Sequence, residues 1–309
     1  MDKKKFEGFF KRYEGNPILT AEDWPYEAAS VFNPGAIKFN DEILLLVRVK
    51  DRQGYSHLTI AKSKDGKTNW RIDSKPTLSA EPDFGEAKFG LEDPRIVWFE
   101  ERQEYIITYV SFFEGVTGEP AGISLIATKD FSNFERLGRQ LIPPNKDASL
   151  FPKTIKGYYA LINRPIVEGR ADIWVSFSKD LNFWGKDRPL ILAGHRTWDC
   201  DKVGLGPPPI ETPEGWLIIY HGARNTSSGI DYRVGLVLLD LETLKVIRRS
   251  RDWVFGPKEN YGIVFPCGAV INEKTDELLV YYGATDSVIG LATADLNGVL
   301  DYLKKCTEY

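Results

Sequence analysis

The sequence predicts an all-β chain folded as a five-bladed β-propeller, and three observations predict it. A pattern of an apolar strand, a tight turn, a second apolar strand and a more amphipathic third strand occurs five times. Measured between Asn33, Asp93, Asp147, Gly206 and Pro266, the copies lie 60, 54, 59 and 60 residues apart. Aromatic residues make up 13% of the chain, an excess that suits strands. A β-sandwich has no reason to repeat at near-constant period, whereas blades that cannot bury both faces alone must pack around an axis.

The first copy runs Phe32 to Phe39, turns at Asn40-Asp41 and returns over Ile43 to Val49. The second opens with Glu92-Asp93-Pro94-Arg95, continues to Phe99 and returns over Tyr105 to Phe112. Asp147 to Pro152 and Tyr158 to Asn163 make the third, Gly206 to Ile210 and Trp216 to His221 the fourth. The fifth is Phe265 to Ile271 with Leu278 to Gly283. Third strands follow over His57–Lys62, Ile123–Thr128, Ile173–Ser178, Val234–Leu239 and Gly290–Ala294, and in three copies a further aromatic segment comes after them. Residues 1–309 thus read as one propeller domain. Residues 1–30 form an N-terminal extension that would cap it or touch a second copy of the chain. Helical periodicity is confined to Lys3–Tyr13, where Phe6, Phe9 and Phe10 could share a face.

Composition narrows the function. A net charge of −4 argues against a nucleic-acid or membrane-surface partner. Cys200, Cys267 and Cys306 show neither disulfide nor metal spacing, and His57, His195 and His221 are too scattered for a zinc motif. There is no apolar run long enough to span a membrane and no phosphate-binding glycine loop, so the expectation is a reduced, cytoplasmic protein without metal or organic cofactor.

In a propeller the first strand of each blade lines the axis, so polar residues at its start converge on a central pocket. Asn33, Glu92-Asp93, Asp147 and the Asp201-Lys202 region occupy those starts. Second strands run back to the same mouth and end near Arg48, Arg164, His221 and Asp286. Pro94 pushes Asp93 toward an extended conformation, and a partly desolvated carboxyl aimed at the axis can donate a proton to a leaving oxygen. A salt bridge between Asp93 and Arg95, or a turn role, is the structural alternative. Arg164, Lys202 and His221, with Tyr232 able to join them, form a cationic wedge suited to an oxyanion such as phosphate.

At these residues the chain resembles glycoside hydrolase family 130, the mannoside phosphorylases. The likeness rests on Asn33-Pro34-Gly35, Leu46-Val47-Arg48, Glu92-Asp93-Pro94-Arg95, Phe151-Pro152-Lys153, Asn163-Arg164-Pro165, Tyr220-His221-Gly222 and Tyr282-Gly283-Ala284-Thr285-Asp286, in order over nearly the whole chain. The resemblance implies a five-bladed propeller that cleaves β-mannosides by inverting phosphorolysis, phosphate attacking the anomeric carbon to give α-mannose 1-phosphate. It implies Asp93 as general acid, its proton passing through a mannose hydroxyl. Arg164, Lys202, His221 and Tyr232 would hold phosphate, while Asn33, Arg48 and Asp286 would bind the non-reducing mannose. β-1,4 is the commoner linkage expected. The aglycone would be read by loops such as Glu114–Pro120 and Arg224–Ile230. Two other readings stand beside it: a propeller glycoside hydrolase using Asp93, Asp147 and Asp286, and a non-catalytic sugar-binding propeller.

Overall fold

The computed structural model describes residues 9–113, 120–227, 229–258 and 262–308. Five antiparallel sheets follow one another along the chain. Blade one comprises Ser30–Phe39, Glu42–Lys50, Ser56–Ser63 and Arg71–Ile72. Blade two is Glu86–Phe99, Glu104–Phe113, Ala121–Thr128 and Glu135–Leu141; blade three is Asn145–Leu150, Tyr159–Val167, Ile173–Ser178 and Trp184–Ile191. Blade four has a divided inner strand, Lys202–Leu205 and Ile210–Thr212, followed by Gly215–Thr226, Gly229–Leu239 and Val246–Arg249. The division falls at Pro207-Pro208-Pro209, which has no N–H to give a ladder. Val264–Asn272, Glu277–Ala284 and Val288–Asp295 make blade five.

The outer strand of blade five comes from the other end of the chain. Lys11–Arg12 pairs antiparallel with Val288–Asp295, Lys11 opposite Thr293 and Arg12 opposite Ala292. This corrects the helix expected over Lys3–Tyr13: residues 9–13 are not helical, and residues 3–8 lie outside the described residues. Phe10 is 3% exposed and packs on Phe255 with a centroid separation of 5.9 Å, so the segment joins the core by a strand and an aromatic anchor. The helix that does form, α1 over Leu296–Lys304, is capped by the Asp295 carboxylate accepting from Gly298 N at 2.8 Å. It buries Val299, Leu300 and Leu303 in the cluster between blades four and five.

The buried apolar side chains form five clusters, one between each pair of neighbouring blades. Strand alternation explains why. In Glu42–Lys50, Leu44 and Leu46 point to blade two while Leu45 and Val47 point to blade five. A blade is covered on both faces, so its middle strands carry apolar residues on both sides, as in Leu44 to Val47. Inner strands meet so closely at the axis that a Cβ on Gly35 would lie 2.7 Å from Pro94 O.

Candidate active site

The inner strands of blades one, two and three share one local device. Each has a register break near its start, between Phe32 and Gly35, Glu92 and Arg95, and Lys146 and Ser149. At each break one residue takes a left-handed backbone: Asn33 at φ 46°, Asp93 at 50° and Asp147 at 52°, so Asp93 does not take the extended conformation expected before Pro94. Asn and Asp tolerate that region better than other side-chain-bearing residues, and the bulge re-aims the side chain toward the axis. Blade five breaks register at the equivalent place, between Pro266 and Gly268, and puts buried Cys267 there.

Asp93 is 6% exposed and is held from blade one. Asn33 Nδ2 donates to its Oδ1 at 2.9 Å and Arg48 Nη1 donates to the same oxygen at 3.1 Å. Arg48 also pairs with Glu92, donates from Nε to Ser56 Oγ at 3.1 Å, and lies 4.5 Å from the Phe32 ring centre. One guanidinium therefore bridges both carboxylates of the Glu92-Asp93 pair. Burial raises the Glu92 carboxyl above the usual range, with Arg48 opposing and Asp93 adding to the rise. Asp286 sits exposed at the rim in a left-handed turn, φ 51°. Its carboxyl is raised, first by desolvation and then by the Asp93 charge.

The opposite side of the mouth is organised around Asp147, 1% exposed. Arg164 Nε lies 3.0 Å from its Oδ2, His221 Nε2 3.3 Å from the same atom, and Arg95 Nη2 3.5 Å from its Oδ1. Burial works against the charge of Asp147, but Arg164, His221 and Arg95 outweigh it and hold the carboxyl well below its ordinary range. Burial lowers His221, which keeps the imidazole neutral. Among the described residues Arg164 Nε, Asp147 Oδ2 and both His221 nitrogens are buried without an aligned hydrogen bond. A Cβ on Gly204 would fall 2.2 Å from Asp147 Oδ2 and 2.4 Å from His221 Nε2, so only glycine lets the strand pass here. Tyr232 and Phe265 flank the His221 ring at 5.6 and 4.3 Å, and Lys202 Nζ is 4.9 Å from the Tyr232 ring centre. Burial pushes the Tyr232 hydroxyl up to about 12.

Arg95 joins the two sides. It is 1% exposed and donates to Asp93 O at 3.0 Å, Leu205 O at 2.6 Å and Gly206 O at 2.6 Å. The alternative of an Asp93–Arg95 salt bridge is not the arrangement that forms: Arg95 holds the Asp93 carbonyl and faces the Asp147 carboxylate. Sequence reasoning assigned no site role to Arg95 or to Glu92. Their presence in Glu92-Asp93-Pro94-Arg95 was the available signal, but direction along a bulged strand decides their partners.

The structure brings Asn33, Arg48 and Asp93 together on one side and Arg164, Lys202, His221 and Tyr232 on the other, with Asp286 at the rim. His57 lies apart, bonded to Tyr26 Oη at 2.9 Å, and His195 is exposed. The expected aglycone loop Glu114–Pro120 falls, but for Pro120, outside the described residues. Arg224–Ile230, described except for Ser228, is the tip of the hairpin joining the middle strands of blade four. Among the described residues no helix is long and apolar enough to cross a membrane.

Comparison with known proteins decides the family. The family model described as β-1,4-mannooligosaccharide phosphorylase matches residues 3–305. The chain belongs to glycoside hydrolase family 130. Within that family it is 38% identical over 305 residues to the 1,2-β-oligomannan phosphorylase of Thermoanaerobacter sp. (strain X514), covering 94% of this chain and 98% of the relative. It is 30% identical over 312 residues to the β-1,4-mannooligosaccharide phosphorylase of Ruminococcus albus, covering 95% and 90%. The β-1,2-mannobiose phosphorylase of Listeria innocua, solved with β-1,2-mannobiose, superposes with a TM-score of 0.84 at 29% identity, over 96% of this chain and 99% of that one.

Proposed function

We propose that this family 130 protein cleaves β-linked mannosides by inverting phosphorolysis, releasing α-mannose 1-phosphate. The observation that carries the reading is the division of the mouth into an acid side and a cationic side. On the acid side both hydrogen bonds to the Asp93 carboxylate from the described residues land on Oδ1, which leaves Oδ2 for proton chemistry. On the cationic side Arg164 and His221 converge on Asp147, with Lys202 and Tyr232 beside them, a donor set suited to phosphate.

Asn33, Arg48 and Asp286 bind the non-reducing mannose. Arg164, Lys202, His221 and Tyr232 hold phosphate against the face of the sugar opposite the leaving group. A phosphate oxygen forms a bond to the anomeric carbon, the glycosidic C–O bond breaks, and the leaving oxygen takes the proton that Asp93 supplies. Asp147 takes no proton: it orients Arg164 and His221 and offsets the charge of Arg164 and Arg95.

The hydrolase reading needs a second carboxylate to activate water. Asp147 is buried among Arg95, Arg164 and His221, and Asp286 is exposed at the rim with its carboxyl raised in part by the Asp93 charge. Phosphate is already a nucleophile at neutral pH and needs none.

For linkage, the relative named for β-1,2 substrates is 38% identical and the one named for β-1,4 substrates 30%. That favours β-1,2-mannobiose as the first substrate to assay, with the β-1,4 isomer beside it. Steady-state kinetics of Arg164→Ala test the assignment of sides. KM for phosphate rises on the order of tenfold or more, while KM for the mannoside changes little. Equal increases in both would place Arg164 in the sugar pocket and defeat the division.

A further inference from the structure

Resting on that reading, we propose that Tyr55, Phe89 and Phe112 form the wall against which the second sugar of the substrate stacks, so that they set aglycone specificity. In an inverting displacement nucleophile and leaving group occupy opposite faces of the reacting ring. The cationic side is built by blades three and four, and the acid by blade two with Arg48 of blade one. The leaving sugar therefore exits over the rim of blades one and two.

That rim carries an aromatic cluster. Phe89 lies 6.0 Å from Tyr55 and 6.1 Å from Phe112, centroid to centroid, with interplanar angles of 71° and 68°. Neither neighbour stacks flat on it, and Phe89 stays 51% exposed. An exposed ring grouped with two others offers an aromatic surface, and pyranose rings present apolar C–H faces that pack on such rings.

The cluster is continuous with the acid side. Tyr55 precedes Ser56, whose Oγ accepts from Arg48, and Phe89 is three residues before Glu92. Lys146, beside Asp147, puts its Nζ 5.7 Å from the Phe112 ring centre. The placement is also built rather than incidental. Ser56 pairs with Gly90 across blades one and two, and Gly90 has φ 111° with its would-be Cβ 1.8 Å from Ser56 O. Only glycine permits that approach, which brings Phe89 against Tyr55.

Titration calorimetry in phosphate-free buffer tests the proposal, with mannose and with β-1,2- and β-1,4-linked mannotriose as probes on wild type, Phe89→Ala and Phe89→Tyr. Affinity for the trisaccharide that wild type binds falls on the order of tenfold in Phe89→Ala, mannose affinity is unchanged, and Phe89→Tyr restores most of the loss. In the synthetic direction Phe89→Ala raises KM for the acceptor sugar and not for mannose 1-phosphate. Unchanged trisaccharide affinity overturns the wall while leaving the phosphorolysis reading intact. Equal losses for mannose and trisaccharide overturn it too, as does a change of mass in light scattering without a change in affinity, which would make the patch a contact between copies. Wild type that binds neither trisaccharide and makes no mannose 1-phosphate defeats the functional reading itself, and the wall with it.

Discussion

Three residues with a left-handed backbone, Asn33, Asp93 and Asp147, do different work from one position in the repeat. Asn33 donates to Asp93; Asp93 supplies the proton in the proposed reaction; Asp147 is surrounded by Arg95, Arg164 and His221. Environment separates the two aspartates. Asp147 has a lowered pKa, so the stability it contributes is present above about pH 4, its ordinary value, and is lost as pH falls through the folded value. His221, also lowered, contributes stability present above about pH 6.5 and lost on acidification below it. Both act in the same direction. Asp147→Asn should therefore destabilise the protein by about 3 kcal/mol or more at pH 7, because it leaves buried Arg164 and Arg95 short of a counter-charge. Thermal unfolding at pH 7 and at about pH 5 checks this: both values lie above the range in which the Asp147 contribution is lost, so the gap between variant and wild type persists at the lower pH. A gap that is absent at pH 7, or that closes by about pH 5, contradicts the assignment.

At the scale of elements, strand alternation makes most of the fold legible. Runs such as Leu44 to Val47 are apolar on both faces because each blade is buried on both sides, and the repeat spacing marks where blades begin. What stays hidden has physical reasons. Lys11–Arg12 is too short to show alternation and pairs with residues about 280 positions away. The three phenylalanines nearby imitate a helical face instead. α1 escapes notice because Asn297 and Gly298 in its first turn look like a loop. Blade four's inner strand is interrupted by prolines that read as its start, whereas the strand begins upstream at Lys202. The strand closure predicts a stability effect at a distance from the mouth. Phe10→Ala removes a ring buried against Phe255 and should cost about 3–5 kcal/mol, seen as a lower melting temperature in circular dichroism. An unchanged melting temperature would mean that the N-terminal strand does not hold blade five.

On the scale of the whole molecule, five blades place a carboxylate side and a cationic side across one axis, and Arg95 ties them together through main-chain carbonyls of blades two and four. The candidate residues are legible because each opens or closes a strand at equivalent points of the repeat. Which oxygen or nitrogen each one meets is not, since that depends on bulges and on close passages such as Gly204. The central claim is that phosphate, and not water, attacks the mannosyl carbon. Phosphorus and proton NMR of purified protein incubated with β-1,2- or β-1,4-mannobiose, with and without phosphate, tests it most directly. The account predicts α-mannose 1-phosphate only when phosphate is present, and none from Asp93→Asn. Free mannose formed equally fast without phosphate would contradict it.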